Sequence, residues 1–202
     1  MDIVRDNMPV EGCTISSALT KTITVFSLAP STSISPESLP GPSLVQVLWG
    51  TLTLSPTNIT LKPGEIFLVE GGRLCGFQSE HGAVYLIHYL AKETSMNTLE
   101  AGNALDLATL VPVIPGKIVN RDVIATPHMK FAVLGLGEGT ALSPHAAPGD
   151  AILFALEGQA EIFYEGKTFA LKAGEQTKFA KGGLHGVTAK GPFKMALCVS
   201  LE

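Results

Sequence analysis

Two histidines in the second half of the chain are the strongest candidates for chemistry. His145 follows a Ser-Pro pair, and His185 follows the sequence Gly-Gly-Leu. Imidazole combined with carboxylate is the ligand set that holds iron, manganese, nickel or zinc in proteins. Asp150 lies close to His145 in the sequence and could supply the carboxylate. An imidazole such as that of His185 can also act as a general base, although the sequence identifies no paired acid.

The sequence contains no motif for covalent catalysis. It lacks a Ser-His-Asp order, a nucleophile elbow and a motif typical of low-pKa cysteines. Cys13, Cys75 and Cys198 are odd in number and widely spaced, so we expect three reduced thiols in a cytosol. The remaining histidines lie in turns or in an apolar strand and are interpreted as structural: His81, His88 and His128.

Composition and charge exclude several classes of function. Hydrophobic residues make up 46% and charged residues 16% of the 202 positions, against a usual charged share of roughly 25%. This apolar excess predicts a large buried surface, part of it between subunits, and hence a homodimer. The formal net charge is -4 and basic residues are scattered, so we expect no nucleic-acid binding. Without an apolar run of membrane-spanning length or a signal-like amino terminus, we expect a cytoplasmic protein without membrane contact.

An internal repeat defines the organisation of the chain. The heptad Ser-Pro-Glu-Ser-Leu-Pro-Gly at 35–41 aligns with Ser-Pro-His-Ala-Ala-Pro-Gly at 143–149, an offset of 108 residues. After a two-residue insertion, Leu-Lys-Pro-Gly-Glu at 61–65 aligns with Leu-Lys-Ala-Gly-Glu at 171–175. The repeat predicts two similar domains, at 1–95 and 111–202, joined by a connector at 96–110.

The residue pattern within each repeat predicts strands. Short apolar or alternating runs are separated by Gly, Pro, Ser and Asn, which is typical of strands joined by tight turns. The clearest strands are 151–156, 160–164 and 195–199, with Glu165-Gly166 as a hairpin turn. A short helix is expected only over 98–110, in the connector. We therefore predict an all-β chain of two jelly-roll barrels, since closing a sheet removes its exposed edges.

The second half resembles the cupin superfamily, and in particular small single-domain bacterial cupins. The resemblance rests on His-x-x-Pro-Gly-Asp-Ala at 145–151, on Leu-Glu-Gly-Gln-Ala-Glu-Ile at 156–162 and on the Gly-Gly-Leu-His run that ends at His185. It covers residues 105–202 and, more faintly through the repeat, residues 15–92. It implies tandem double-stranded β-helix barrels, a bicupin-like arrangement.

Matched to the motifs of that superfamily, the chain keeps two of four metal-ligand positions. His145 and His185 occupy two histidine positions, whereas Ala147 and Ala151 replace the second histidine and the glutamate. A catalytic metal usually has at least three protein ligands. Asp150 would supply a third only if the strand bulged, because alternation otherwise places it on the face opposite Ala151. The resemblance therefore implies either no cofactor or one weakly held divalent ion, Zn, Ni, Fe or Mn.

The first repeat lacks this constellation. Its matching positions hold a carboxylate, two neutral side chains and a thiol, namely Glu37, Leu39, Ser43 and Cys75. We interpret this copy as structural, since a buried cysteine is commonly a small apolar filler. Trp49 is expected at a strand end, between the halves, or as an anchor for a partner.

Two functions from different classes follow. The favoured one is a binding protein for a small polar organic molecule, whose carboxylate or hydroxyl would meet the imidazoles in the C-terminal barrel. The residues expected to form this site are His145, His185, Ala147, Ala151 and Asp150. The alternative is a metal-dependent enzyme of isomerase, decarboxylase or dioxygenase type. The cupin fold hosts many activities, so the resemblance names neither a substrate nor a reaction.

Overall fold

Two compact all-β units make up the chain. The computed structural model describes residues 2–91, 99 and 101–201. One unit spans Val4–Asp106 and is called the N-terminal barrel; the other comprises Met1–Ile3 and Leu107–Glu202 and is called the C-terminal barrel. Within the described residues, helical structure is confined to one short helix, α1 (Ile3–Asp6), and one 3₁₀ turn at Leu107–Leu110. None of the helical segments in this part of the chain has the length and apolar character needed to cross a membrane.

The described part of the N-terminal barrel contains ten strands in two antiparallel sheets. The strands are β1 (Thr14–Ala18), β2 (Ile23–Leu28), β3 (Thr32–Ser38), β4 (Ser43–Gly50), β5 (Leu52–Ser55), β6 (Ile59–Leu61), β7 (Glu65–Val69), β8 (Leu74–Ser79), β9 (Ala83–Tyr89) and β10 (Ala104–Asp106). The larger sheet has the order β1-β2-β9-β4-β7-β10, and the smaller sheet has the order β3-β8-β5-β6.

The C-terminal barrel repeats this topology. Its strands are β11 (Ile118–Ala125), β12 (Met129–Leu136), β13 (Ala141–Ala146), β14 (Asp150–Glu157), β15 (Gln159–Tyr164), β16 (Lys167–Lys172), β17 (Gln176–Phe179), β18 (Leu184–Ala189) and β19 (Phe193–Ser200). The sheets have the orders β11-β12-β19-β14-β17 and β13-β18-β15-β16. Strands β12, β19, β14 and β17 correspond to β2, β9, β4 and β7, so the sequence repeat is also a repeat of topology. The predicted all-β fold of tandem jelly-roll barrels is confirmed.

The core of each barrel lies between its two sheets. Successive side chains of a strand point to opposite faces, so every second residue enters the core. In the C-terminal barrel, Ala151 and Leu153 of β14 are each 1% exposed and belong to one apolar cluster with Ile162 and Val187 of the smaller sheet. Burying an apolar side chain of Val, Leu or Ile size stabilises a fold by about 1.5–3 kcal/mol, so this cluster closes the two sheets on each other.

The repeated Lys-x-Gly-Glu sequence forms the same turn in both barrels. The backbone N–H of Lys62 donates to the Glu65 carboxylate over 2.8 Å, and that of Lys172 donates to the Glu175 carboxylate over 2.7 Å. A carboxylate that accepts a backbone N–H holds the chain in a tight turn without help from a neighbouring strand. This local bond explains why the glutamate recurs in both repeats.

The strands predicted from the sequence are confirmed, with small differences at their ends. Residues 151–156, 160–164 and 195–199 lie within β14, β15 and β19. The predicted hairpin turn has Glu165 at φ 48° and Gly166 at φ 78°, the two left-handed positions that a type I′ turn requires.

The predicted connector differs from the structure. Residue 98, where the predicted helix begins, lies outside the described residues. Ala104–Asp106 form β10, which pairs with Phe67, Ile66 and Glu65 of β7, and only Leu107–Leu110 turn helically. The hydrogen bonds of β10 go to the sheet, so these residues extend the N-terminal barrel to Asp106.

A glycine with left-handed backbone ends the same strand in each barrel. Gly50 has φ 73° and Gly158 has φ 75°. A Cβ atom at Gly50 would lie 2.0 Å from the carbonyl oxygen of Gly82, and one at Gly158 would lie 2.0 Å from that of Pro192. The half-buried Trp49 stands directly before Gly50, at the predicted strand end. The backbones therefore approach so closely here that only glycine fits.

Gly158→Ala should lower the free energy of unfolding by about 2–4 kcal/mol, because it combines left-handed strain with a clash against backbone. Gly166→Ala is the matched control, since Gly166 has a similar φ of 78° and no heavy atom within 4 Å of its added Cβ. The control should lose only about 1–2 kcal/mol, the strain alone. Urea unfolding measures both values, and equal losses would show that the close approach at Gly158 contributes nothing.

His88 is a buried structural residue of the N-terminal barrel. Its ring is fully buried, and its Nε2 lies 3.0 Å from Oε1 of Gln46 on the neighbouring strand β4. Because the Gln46 oxygen only accepts, Nε2 carries the proton and donates. Burial lowers the pKa of His88 to about 3. The structural interpretation of this histidine is therefore supported by its partner.

His88 should make the fold sensitive to acid. The imidazole takes up a proton in the unfolded chain near pH 6.5 and in the folded chain only near pH 3, so its contribution to stability is complete above pH 6.5 and is lost as the pH falls. Between pH 8 and pH 5 this group should cost about 2 kcal/mol of unfolding free energy. His88→Gln cannot titrate but can still bond Gln46, so its unfolding free energy should fall less over that range. Identical pH profiles for the two proteins would contradict this assignment.

Candidate functional site

The pairing of β13 with β18 brings the two predicted histidines together. His145 lies directly opposite His185, and Ala146 lies opposite Leu184. The register shifts between Leu142 and His145, across the Ser-Pro pair. Proline has no N–H to give to a ladder, so a strand that contains it bulges or stays at an edge. The bulge sets which face of the sheet His145 occupies.

The two imidazoles form a close, partly exposed pair. Their ring centroids lie 4.4 Å apart with an interplanar angle of 50°. His145 is exposed, whereas His185 is only 5% exposed. Nδ1 of His145 lies 2.8 Å from the carbonyl oxygen of Ser143, and Nδ1 of His185 lies 3.3 Å from that of Gly183. Each ring is therefore oriented by a carbonyl two residues before it.

These carbonyl contacts fix the tautomer of both rings. A carbonyl oxygen can only accept, so Nδ1 carries the proton in each histidine and Nε2 of the neutral ring holds a lone pair. Nε2 of His145 and of His185 has no hydrogen-bond partner within the described part of the chain. Burial has the largest effect and lowers the pKa of His185; its bond to Gly183 opposes this, and the nearby His145 lowers the pKa further. At neutral pH, His185 presents an acceptor.

Two aromatic residues that the sequence did not identify complete this cluster. The ring of Phe179 stacks on His185 with centroids 4.4 Å apart and an interplanar angle of 20°. Tyr164 packs against Phe179 at 5.2 Å, and its hydroxyl accepts the backbone N–H of Ala180. Tyr164 also lies directly opposite His185 across β15 and β18. The only sequence signal was its place at the end of a predicted strand, before the hairpin turn.

The predicted alanines lie in the core beside this cluster. Ala147 is 3% exposed and Ala151 is 1% exposed, and both belong to the apolar cluster that contains Phe179. Ala151 lies directly opposite Phe179 across β14 and β17. Two such small side chains would leave open space, but the fully buried ring of Phe179 packs beside them.

Asp150 does not join the histidines. Its carboxylate accepts the backbone N–H of Lys181 over 2.9 Å and lies 3.8 Å from Nζ of Lys178. It precedes Ala151 at the start of β14, and Ala151 points into the core. The alternation of the strand therefore places Asp150 away from the core, and the bulge needed to redirect it falls in β13 instead.

The residues present do not fit a catalytic metal centre. Among the described residues, no three His, Cys, Asp or Glu side chains lie close enough to hold an ion. His145 and His185 have the tautomer of metal ligands, but a first-row catalytic site usually has three protein ligands. Phe179, which has no donor atom, stacks on one of the two rings. The pair is therefore better suited to hydrogen bonding than to coordination.

The N-terminal barrel repeats the frame of this site without its histidines. Glu37 lies opposite Cys75, and the register shifts between Ile34 and Glu37, at the matching Ser-Pro pair. Burial raises the pKa of the Cys75 thiol to about 11, so the thiol is protonated at neutral pH and is a poor metal ligand. The position that matches Phe179 is Val69, at the same 110-residue offset that aligns Cys75 with His185.

Solved structures resemble this chain throughout its length. No protein-family model matches the chain, and no curated protein matches it significantly. A cupin 2 conserved barrel domain protein from Leptotrichia buccalis is 23% identical over 95% of this chain and 90% of its own, with a TM-score of 0.77. A cupin superfamily protein from Desulfitobacterium hafniense is 18% identical over 54% of this chain and 99% of its own, with a TM-score of 0.51. A salicylate 1,2-dioxygenase from Pseudaminobacter salicylatoxidans is 10% identical over 95% and 77%, with a TM-score of 0.67.

These likenesses show the fold. The Desulfitobacterium protein aligns over nearly its whole length with about half of this chain, which agrees with two complete barrels. The chain is a tandem β-barrel protein with the cupin fold, as the resemblance of its second half predicted. At such low identities, the reaction named for the dioxygenase remains a property of that protein alone.

Replacing Phe179 should change the titration of His185. Phe179→Val introduces the residue of the matching position in the other barrel and admits water to the His185 ring, so the pKa of His185 should rise toward its usual value. NMR of the imidazole protons measures this change. Phe169→Val is the control, because Phe169 is 37% exposed on the same barrel and should leave His185 unchanged. An unaltered His185 titration in Phe179→Val would show that the ring does not desolvate it.

Proposed function

We propose that the chain is a small-molecule binding protein whose C-terminal barrel recognises its ligand through His145 and His185 without a metal. The observation that carries this proposal is the pair of adjacent imidazoles, each with Nδ1 held by a backbone carbonyl. Both Nε2 atoms remain available to a ligand. Binding sites commonly combine an apolar surface with a few such convergent polar groups.

The protonation state of the pair selects the class of ligand. At neutral pH the lone pair on Nε2 of His185 accepts a hydrogen bond, so the ligand must donate one. Hydroxyl and ammonium groups satisfy this requirement, whereas a carboxylate would require a protonated imidazole. Two adjacent imidazolium rings repel each other, and His145 already lowers the pKa of His185. A polyol, a sugar or an amine in its ammonium form therefore fits the pair better than an organic acid.

The surroundings of the pair suit a ligand with an apolar side. Phe179 lies against His185, Tyr164 lies against Phe179, and Leu184 beside His185 is 43% exposed. An exposed leucine next to a polar pair offers apolar contact to the carbon skeleton of a sugar or polyol. The Phe179 ring fills the core behind the pair, so the ligand would lie at the mouth of the barrel.

The metal-dependent enzyme is not favoured by any observation in this barrel. His185 could accept a proton through Nε2, but the titratable side chain that packs against it is a second imidazole, His145, and not a carboxylic acid. The homodimer and the cytoplasmic location stay predictions from composition, and light scattering of the purified protein would measure the oligomeric state.

Protein purified without a histidine tag should contain no stoichiometric transition metal by elemental analysis, and it should bind one or more polyols, sugars or amines in a thermal-shift screen. His145→Ala combined with His185→Ala removes both acceptors and should abolish the shift. His128→Ala is the matched control, because His128 is an exposed histidine of the same barrel. One metal ion per chain that is lost in the double variant would overturn the proposal and favour the metal-dependent enzyme.

A further inference from the structure

A cavity of about 330 Å³ lies in the N-terminal barrel. Strand β7 supplies one wall, and the turns after β5 and β7 supply the others, with Ala101 and Gly102 at the remaining side. Ligand pockets begin at about 300 Å³, so this cavity has room for a small organic molecule. The barrel that the sequence suggested to be structural therefore contains a ligand-sized space.

The cavity exists where the C-terminal barrel is filled. Val69 lines it, and the matching residue of the C-terminal barrel is Phe179, whose fully buried ring stacks on His185. The smaller side chain leaves unfilled the volume that a phenyl ring would take. The two barrels thus differ in side-chain size at a repeat position that lines this cavity.

The walls of the cavity are mainly apolar. Phe67, Val69 and Leu74 line it, and Leu74 is 60% exposed at the side that meets solvent. Cys75 adds a buried thiol that stays protonated, because burial raises its pKa to about 11. A protonated buried thiol behaves as a small apolar group, so this part of the cavity suits an apolar body.

Arg73 gives the cavity a cationic group. Its Nε–H donates to the Glu70 carboxylate over 3.0 Å, and both side chains line the cavity. A guanidinium has five N–H donors, so four remain, and none of them has a partner among the described residues. The planar guanidinium is suited to paired hydrogen bonds with a carboxylate.

We propose that the N-terminal barrel binds a small carboxylate with an apolar body, seated between Phe67, Val69 and Leu74 with its carboxylate on Arg73. The cavity and the unpaired guanidinium donors carry this proposal together. Glu70 competes with the ligand for Arg73 and so tunes the affinity. This site is independent of the histidine pair and takes ligands of the opposite hydrogen-bonding class.

The probe is 1-naphthoate, with 1-naphthamide as its uncharged counterpart, titrated by calorimetry into the full chain. The wild-type protein should bind one 1-naphthoate with a Kd on the order of 1 mM or tighter. Arg73→Gln should weaken 1-naphthoate about fivefold and leave 1-naphthamide unchanged, as expected for a surface-exposed ion pair. Glu70→Gln should strengthen 1-naphthoate, because it removes the competing carboxylate.

Two further variants test the cavity itself. Val69→Phe introduces the residue of the matching C-terminal position and should abolish binding of both probes. Leu74→Glu places a second carboxylate beside Arg73, with the same negative charge as the ligand, at an exposed position where the fold tolerates it. It should weaken 1-naphthoate even if Val69→Phe fails to fold. Leu184→Glu is the matched control, since Leu184 is the equivalent exposed leucine of the other barrel, and it should leave the affinity for 1-naphthoate unchanged.

The histidine site provides the remaining comparison. His185→Ala should leave 1-naphthoate binding intact, which keeps this inference separate from the proposed function. Failure of the wild-type protein to bind at about 5 mM would overturn the inference. Binding that persists in a folded Val69→Phe variant, or that is lost in His185→Ala, would overturn it as well, because the anion would then lie elsewhere.

Discussion

The β-bulge at the Ser-Pro pair is the constraint that sets which residues of β3 and β8, and of β13 and β18, lie opposite each other. In each barrel the register shifts across this pair, and the residue that follows the proline then pairs with β8 in the N-terminal barrel and with β18 in the C-terminal barrel. His145 consequently meets His185, and Glu37 meets Cys75. A one-residue slip would turn every following side chain to the other face of the sheet. The bulge thus decides which residues line the mouth of each barrel.

The same strand topology therefore encloses different side chains in the two barrels. The C-terminal barrel places two imidazoles at its mouth and fills the space behind them with Phe179. The N-terminal barrel has a valine in place of that ring, a thiol in place of the inner histidine, and a cavity. Native interiors are packed closely, with few voids larger than a water molecule. The N-terminal cavity opens to solvent beside Leu74, so it is a pocket of ligand size and not a sealed void of this kind.

The sequence predicted the strands and the two barrels better than the side-chain contacts inside them. The 108-residue repeat and the alternating strands predicted two β-barrels, because turn residues and strand periodicity are local signals. The resemblance of the second half grouped His145 with His185, and the structure shows the two rings next to each other. Local patterns could not predict β10, since its pairing with β7 is a tertiary contact. They also could not predict that Phe179 covers His185, because two alanines suggest open space until the neighbouring strand is placed.

Two buried histidines illustrate why sequence could not separate a structural from a functional imidazole. His88 and His185 both lie in apolar strands, and burial lowers the pKa of both. Nε2 of His88 is bonded to Gln46, so its ring offers a ligand neither access nor a lone pair at that atom. His185 instead bonds the Gly183 carbonyl two residues before it through Nδ1, and its Nε2 has no hydrogen-bond partner among the described residues. Burial therefore does not distinguish a structural imidazole from a candidate binding residue. The hydrogen-bond partner of Nε2 distinguishes them, and strand register determines whether Nε2 has such a partner.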